Sequence, residues 1–403
     1  MSIRGSILIA GALFVGAICN GQTVRQPSQG ELARRNQAQF DLALKLADEG
    51  KYREANELLL NLYERTRSPR VLLEGARVLY VAGEYAESEK LFRSVLQLEP
   101  PMMVQERVAR YLDEITTANG RLDFSVGLVS DTNPRASTSS ETITLFGQTY
   151  SYNPGFDTTV KTGMSYALIA EKSAGEKNRY VWGLAINGAK FSDTDFDRTS
   201  LEESVSYRLS DSPRLSVRLA SEQYFLAGDF LYNMPSVSLK HVKEFSGEGY
   251  WTNEVKTGRI TYRDYDYLGG MLYAYSTGFG RPIAENIILG AELGFDKMSA
   301  EESPYSYNTK SLSLLLNAYV PRFFIKYQVR ATLSQRDFES EDPFFGTVRS
   351  DQKYGVYLNI LKADWKLYGM APMVDIGYEK NSSSIELYSY KRVISTLSFK
   401  KMY

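Results

Sequence analysis

The stretch Arg322–Gln335, RFFIKYQVRATLSQ, decides the fold that we predict for this chain. Between Phe323 and Ser334, apolar side chains alternate with a second set that is mostly polar or charged. A period of two residues indicates a β-strand. The alternation outlasts the roughly 5–6 residues of an ordinary strand and suits the roughly 9–11 residues with which a tilted strand crosses a bilayer. The stretch therefore predicts a membrane strand with lipid on one side and water on the other.

The same pattern recurs between residues 121 and 403 and predicts a fourteen-stranded antiparallel transmembrane β-barrel. A soluble sandwich would need a dry core between two sheets, but Lys326, Arg330 and Asp375 lie on the face opposite the apolar one. The predicted strands are Arg121–Ser130, Asp157–Ala170, Asn178–Phe191, Thr199–Leu209, Arg214–Phe225, Phe230–Phe245, Tyr250–Tyr262, Leu268–Gly280, Asn286–Lys297, Thr309–Val320, Arg322–Gln335, Ser350–Leu361, Lys366–Tyr378 and Ser389–Tyr403.

The connections between these strands alternate in length. Short links rich in turn-forming Gly, Pro, Ser and Asp occupy every second junction, at residues 173–176, 210–213, 246–249, 281–285, 320–322 and 362–364. Most other junctions are longer, at residues 132–156, 192–198, 298–308, 336–349 and 379–388. Outer-membrane barrels have short periplasmic turns and longer external loops. Because the strand count is even, both ends of the barrel are expected on the side of the turns, in the periplasm.

The chain before the barrel divides into three parts. Met1–Gly21 combines a positive Arg4 with an apolar core at Ile7–Ile18 that is too short to span a bilayer, which predicts a secretory signal peptide. Residues 22–30 are polar and are expected to form a linker. Residues 31–118 consist of helix formers with apolar spacings of three and four, and predict an all-α domain.

This helical domain contains a repeat with a period of 33 residues. Gly50, Tyr52, Ala55 and Leu59 recur as Gly83, Tyr85, Ser88 and Phe92. The pattern resembles a tetratricopeptide (TPR) unit, in which Gly-x-Tyr forms a tight turn, a small residue lies where helices cross and an aromatic residue fills the seam. Pro69 and Pro100 are expected to close the two units, and residues 102–118 to cap the last apolar face. TPR-like repeats usually bind protein segments, but a purely structural bundle gives the same pattern.

Composition and motifs give no reason to expect an enzyme. The net charge of −1 favours no nucleic-acid partner. Cys19, in the predicted signal peptide, is the only cysteine and His241 the only histidine, so neither a zinc nor a haem site is expected. The sequence lacks a phosphate-binding Walker motif, and a Ser-His-Asp site would have to use His241, which a lumen or packing role explains better. We therefore predict a protein with no cofactor.

Local motifs resemble those of the surface lipoprotein assembly modifier (Slam) family. DPFFGTVRSDQKY (342–354) is similar to the family's Phe-Gly-x-x-Arg-x-Asp loop, and SSSIELYSYKR (382–392) to its Ser-Asn-x-x-x-Tyr-x-Tyr-x-Arg motif, with Ser384 in place of Asn. DTNPRA (131–136) resembles Asp-x-Asn-x-Asn-Ala, with Arg135 in place of the second Asn, and Tyr403 stands where Phe is more usual. The matching residues are Asp131, Asn133, Phe345, Gly346, Arg349, Asp351, Ser383, Tyr388, Tyr390, Arg392 and the terminal Tyr403, beside the TPR signature of Gly50, Tyr52, Ala55, Gly83, Tyr85, Phe92 and Pro100.

The resemblance implies a translocator that exports one specific protein to the cell surface by type XI secretion. The cargo would be a surface lipoprotein or a secreted haem- or metal-binding protein. Periplasmic chaperones, the barrel-assembly machinery and outer-membrane lipid are further expected partners, and the predicted location is the outer membrane.

Two questions stay open at the level of sequence. A fourteen-stranded lumen is narrower than that of a porin of 16–18 strands, so the cargo would pass extended through the lumen or through an opened seam between the first and last strands. The alternative functions are a passive channel for small solutes with a periplasmic helical anchor, and an assembly or adhesin scaffold.

Overall fold

The computed structural model describes residues 28–138, 140–145, 148–151, 159–175, 178–211, 213–245, 249–365 and 367–401. The predicted signal peptide, most of the predicted linker and Tyr403 lie outside these residues.

In the described part of the chain, five helices precede the barrel: α1 Gln29–Asp48, α2 Tyr52–Thr66, α3 Pro69–Ala82, α4 Tyr85–Gln97 and α5 Met102–Asn119. Ser28 caps α1 by exchanging hydrogen bonds with Glu31. Gly50 and Gly83, with φ angles of 79° and 83°, adopt the left-handed conformation in which many helices end. Glycine adopts this conformation more readily than other residues do. Each of the two glycines lies directly before the helix that Tyr52 or Tyr85 begins. None of the described helices has the length and apolarity needed to cross a membrane.

Two apolar clusters hold the helices together. The first joins α1, α2 and α3 around Ala55 and Leu59, and the second joins α3, α4 and α5 around Phe92 and Ile115. The small residues of the repeat lie where helices touch, since Ala55 and Ser88 are both fully buried and the Ser88 hydroxyl donates to the carbonyl of Ala76.

The two prolines of the repeat lie at the boundaries of the helix pairs, Pro69 after α1 and α2 and Pro100 after α3 and α4. Pro69 occupies the first turn of α3, where the missing N–H costs nothing. It therefore opens the second helix pair. Pro100 lies in the connection between α4 and α5.

Fourteen of the described strands form a closed barrel in which strands adjacent in the chain pair antiparallel and β1 pairs with β16. The short strands β2 Thr142–Leu145 and β3 Gln148–Ser151 form a separate hairpin. The barrel strands are β1 Arg121–Asp131, β4 Lys161–Ala174, β5 Tyr180–Phe191, β6 Arg198–Asp211, β7 Arg214–Leu226, β8 Asp229–Phe245, β9 Gly249–Tyr262, β10 Gly270–Ala284, β11 Ile287–Ala300, β12 Tyr307–Val320, β13 Ile325–Glu341, β14 Val348–Lys362, β15 Met370–Ser383 and β16 Tyr390–Lys401.

Several strand boundaries differ from the predicted ones. Residues 336–341, expected in a loop, continue β13, and Arg349 lies in β14. Apart from Phe338, these residues are polar, and a ladder that extends beyond the membrane needs no apolar face, so hydrophobic alternation does not reveal it. Arg322–Phe324, expected in a strand, form a tight turn in which Phe324 has a φ of 50°.

The barrel is apolar outside and polar within. On β12, Leu312 and Leu314 are exposed on the outer surface, whereas Ser311 and Ser313 line a lumen cavity of about 710 Å³ together with Arg330 of β13. Lipid on one side and water on the other account for this division.

Candidate functional site

The predicted functional residues lie at opposite ends of the barrel. We call the end with the connections 132–160, 342–347 and 384–389 the loop end, and the end that contacts the five helices the turn end. The motif residues from Asp131 to Arg392 are at the loop end, and the TPR signature is at the turn end.

A buried ion pair joins the first and last strands at the loop end. The carboxylate of Asp131 is fully buried and accepts hydrogen bonds from Nε of Arg392 at 2.9 Å and from Nη2 of Arg198 at 3.2 Å. It also accepts from the backbone N–H of Asn133 at 3.1 Å. A buried carboxylate is tolerated when opposite charges and hydrogen bonds satisfy it. Arg392 and Arg198 therefore compensate the buried charge of Asp131, and the pair of Asp131 and Arg392 links the two strands of the seam.

Asn133 continues the contact between these strands beyond their ladder. Its side-chain amide donates to the carbonyls of Ser137 and Lys391, at 2.7 and 3.2 Å. Among the described residues, the ladder between β1 and β16 spans seven paired positions and reaches the loop end at Asp131. The contacts of Asp131 and Asn133 thus add to the backbone pairing of the seam at the loop end.

A second cluster surrounds Arg349. Its guanidinium carbon lies 3.5 Å from the ring centre of Tyr388 and 4.7 Å from that of Phe338. The same group pairs with Asp351, Nη2 to Oδ2 at 2.7 Å. The Tyr388 hydroxyl donates to Oδ2 of Asp342 at 3.0 Å, and burial together with this carboxylate raises the pKa of Tyr388 to about 12. Arg349 therefore sits between two aromatic rings with its charge balanced.

Asp342 organises the connection between β13 and β14. Its Oδ1 accepts from the backbone N–H groups of Phe344 and Phe345, at 2.9 and 3.2 Å, and its carbonyl accepts from the N–H of Gly346 at 2.9 Å. The Phe345 ring lies 6.3 Å from the Tyr388 ring, edge to face. The predicted loop motif and the predicted C-terminal motif are thus in contact.

The connection between β15 and β16 joins the loops on both sides. Ser383 accepts from the N–H of Ile385 and donates its own N–H to the Ser389 hydroxyl. Ser384, which replaces the family's usual Asn, accepts from the N–H of Ser350 and donates to the carbonyl of Val348.

Glu386 extends this network to the first connection. Its carbonyl accepts from the Thr138 hydroxyl at 3.0 Å and its carboxylate from the Ser140 hydroxyl at 2.7 Å. Tyr390, the remaining motif residue of this region, pairs in register with Asn381. These contacts connect the loops, and the motifs did not indicate several of the residues involved, among them Arg198, Asp342 and Glu386.

At the turn end, α5 lies across the mouth of the barrel. Its first N–H, that of Met102, donates to the carbonyl of Glu285, between β10 and β11. Its last residue, Asn119, is followed directly by β1 and accepts from Lys172 of β4. In the circular strand order, β10 and β11 lie opposite β1. A helix of 18 residues is about 27 Å long, which suits a span across the mouth.

Ion pairs attach the helices to the barrel wall. Glu114 of α5 pairs with Arg208 of β6 at 3.3 Å and with Arg214 of β7, and it also accepts from the Tyr80 hydroxyl. Glu244 of β8 pairs with Arg110 at 2.7 Å. Burial raises the pKa of both the Tyr80 and the Tyr111 hydroxyls. None of these contacts was predicted, because the charges of α5 look like those of a solvated helix face.

The tyrosines of the TPR signature face the barrel. The Tyr85 hydroxyl accepts from the side-chain amide of Asn178, between β4 and β5, at 2.7 Å. Tyr52, Gly83 and Tyr85 line a cavity of about 830 Å³ between the helices and the barrel. Pro100 accepts from Gln105 of α5 at 2.8 Å.

The arrangement is one of binding surfaces around a lumen. Within the described ranges, His, Cys, Asp and Glu side chains form no group of three that could hold a metal ion.

Residues 239–403 match the family model of the surface lipoprotein assembly modifier. The matched segment runs from β8 to the end and contains the Arg349 and Arg392 motifs; Asp131 and the helices lie outside it. No curated protein matches the sequence of this chain.

Several solved outer-membrane proteins share a general likeness with the barrel. A loop-deletion mutant of OmpT from Vibrio cholerae is 9% identical, with a TM-score of 0.37, and the match covers 70% of this chain and 99% of that chain. The outer-membrane channel DcaP of Acinetobacter baumannii is 10% identical, with a TM-score of 0.40 and coverage of 70% and 96%. The toluene transporter TodX of P. putida is 8% identical, with a TM-score of 0.40 and coverage of 72% and 92%.

Proposed function

We propose that this protein exports a specific protein from the periplasm to the cell surface, as the family name of the matched segment suggests. The cargo is a surface lipoprotein or a secreted soluble haem- or metal-binding protein. The proposed domains are a signal peptide (1–21), a linker (22–30), a periplasmic TPR-like domain (31–118) and the outer-membrane barrel (121–403). Periplasmic chaperones and the barrel-assembly machinery are the proposed partners beside the cargo. The observation that carries this proposal is the family match over residues 239–403.

The geometry of the turn end supports protein export over passive diffusion. A general channel for small solutes works best with an unobstructed mouth, whereas α5 lies across this one and the other four described helices pack behind it. The cavity between these helices and the barrel is of the size that binds ligands, about 300–1,000 Å³. A binding surface at the entrance of the lumen suits a cargo protein that must be recognised before it is transported.

The loop-end residues have a structural role in this proposal. Asp131, Arg392, Arg349 and Tyr388 hold the loops in one arrangement around the exit. The transport step itself breaks no covalent bond and needs no cofactor. Folding of the cargo outside, worth about 5–15 kcal/mol per domain, biases movement outward.

Surface labelling of intact cells tests the proposal and at the same time identifies the cargo. Cells with and without the gene are labelled with a membrane-impermeant biotin reagent, and the labelled proteins are identified. We expect one or a few leader-bearing proteins to lose their label and to accumulate inside the envelope when the gene is deleted. An unchanged set of surface proteins would refute export. The channel alternative is tested by placing liposomes that contain the purified protein in sugar solutions and measuring their swelling. A passive channel predicts rapid uptake of sugar without any cargo.

A further inference from the structure

Three neighbouring cavities at the turn end share their walls. The largest, about 830 Å³, lies between the helices and the barrel, and a smaller one of about 240 Å³ adjoins it at Arg107. A third, of about 460 Å³, begins at Arg110 and reaches Ser216 and Thr252 on the inner face of the barrel. Glu244 lines all three. Together they form a row of adjoining cavities that extends from the helices, past α5, to the inner face of the barrel, and we call this row the side passage.

The side passage is predominantly basic at its outer part. Six of the residues that line the largest cavity are Arg or Lys, and three are Asp or Glu. The carboxylates of Glu114 and Glu244 are already engaged by arginines. Clefts lined by one sign of charge attract ligands of the opposite sign. The excess of guanidinium and ammonium groups therefore favours carboxylates in the occupant.

Arg107 provides a donor that the protein itself leaves unused. Its Nε is buried without a hydrogen-bond partner, and the nearest Glu244 oxygen is 3.8 Å away, which is too long for a hydrogen bond. A buried donor without an acceptor costs free energy. An oxygen supplied by a ligand in the side passage would remove that cost.

Aromatic side chains complete the walls. Tyr52, Tyr80, Tyr85 and Tyr111 all line the largest cavity, and the Tyr80 and Tyr111 rings are 4.9 Å apart, edge to face. Tyrosine offers a flat apolar surface and a hydroxyl at little cost in conformational entropy, which suits contact with polypeptide.

We infer that the side passage receives an acidic, extended segment of polypeptide and leads it into the lumen beside α5. This inference rests on the proposed export function, because it identifies the chemistry of the segment that enters first. The segment needs side-chain carboxylates for the arginines and an extended backbone to pass between α5 and the inner face of β7–β9.

Fluorescence anisotropy with the purified full-length protein in detergent tests this inference. The probes are two fluorescein-labelled fifteen-residue peptides of Ser, Tyr and a charged residue, which is Asp in one and Lys in the other. We expect the acidic peptide to bind about tenfold or more tightly than the basic one, and its binding to weaken as salt screens the charges. Arg107 and Lys243 both line the largest cavity, and the double variant Arg107→Gln/Lys243→Gln should lose about tenfold in affinity for the acidic peptide.

The matched control is Arg93→Gln/Lys297→Gln, which removes the same charges from exposed ion pairs elsewhere. Both double variants are first checked for the heat-modifiable migration of a folded barrel. Equal binding of the two peptides, or equal affinity of the two variants for the acidic one, would overturn the inference. Peptide binding does not require export, so its outcome is separate from that of the surface-labelling experiment.

Discussion

Arg392 of the last barrel strand holds the carboxylate of Asp131 of the first strand in a buried pair, although 261 positions separate the two residues. Arg198 shares that carboxylate from β6. At the loop end, the seam of the barrel is therefore closed by charge as well as by backbone pairing.

Asp131→Asn should destabilise the barrel. Removing one member of a buried pair costs about 3–5 kcal/mol because the remaining charge is left without compensation. The exposed pair of Arg259 and Glu301 is the matched control, since Glu301→Gln should cost about 0–1 kcal/mol. Unfolding in urea, followed by the loss of heat-modifiable migration, measures both variants. Equal midpoints for Asp131→Asn and Glu301→Gln would contradict the role of the seam pair.

Locking the seam should leave export intact if the cargo moves through the lumen. Ser130 and Ser395 lie directly opposite each other on β1 and β16, so Ser130→Cys/Ser395→Cys can form a disulfide across the seam. Ala331→Cys/Val356→Cys, a pair that faces outward on β13 and β14, is the control. Surface labelling of the cargo should be the same in oxidised and reduced cells. A block that appears only on oxidation of the seam pair would favour exit through an opened seam.

Glu114→Gln should loosen the helices from the barrel. The variant loses the charge that holds Arg208, Arg214 and Tyr80 together at the turn end. Limited trypsin digestion of the purified protein should release the helical domain several times faster than in the parent. Glu89→Gln, which removes an exposed pair within α4, should digest at the parental rate. Equal rates for the two variants would refute this docking role.

Arg349→Lys should expose the connection between β13 and β14. A lysine keeps the positive charge but loses the planar contact with Tyr388 and Phe338 and the two-point pairing with Asp351. Protease added to intact cells should cleave this variant at residues 342–347 more rapidly than it cleaves the parent protein. Arg322→Lys at the turn end, where no such stack on two rings is described, serves as the control and should change nothing at the loop end.

The barrel was predictable because lipid and water impose opposite demands on alternate residues. Leu312, Leu314 and Leu316 face outward on β12 for that reason, and their spacing is visible in the sequence. This constraint does not act on residues beyond the membrane. The extension of β13 to Glu341 is held by backbone pairing of mostly polar residues, and no hydrophobic alternation marks it.

The sites were only partly predictable. The motifs pointed to Asp131, Arg349 and Arg392, but no local pattern indicates that Arg198 reaches the same carboxylate from another strand. Asp342 could have been found, because an Asp followed by Pro and Gly is a turn signal and its side chain accepts from backbone N–H groups two and three residues on. The position of α5 across the mouth depends on barrel closure, which brings β10 and β11 opposite β1.

Site-specific photo-crosslinking on one strand tests whether the exported protein passes through the lumen. Ser313 faces the lumen and Leu314, the next residue of β12, faces outward. A photoreactive amino acid is placed at either position in cells that produce the cargo identified by surface labelling. Passage through the lumen predicts cargo crosslinks at position 313 and none at position 314. Crosslinks at position 314 with none at position 313 would contradict it.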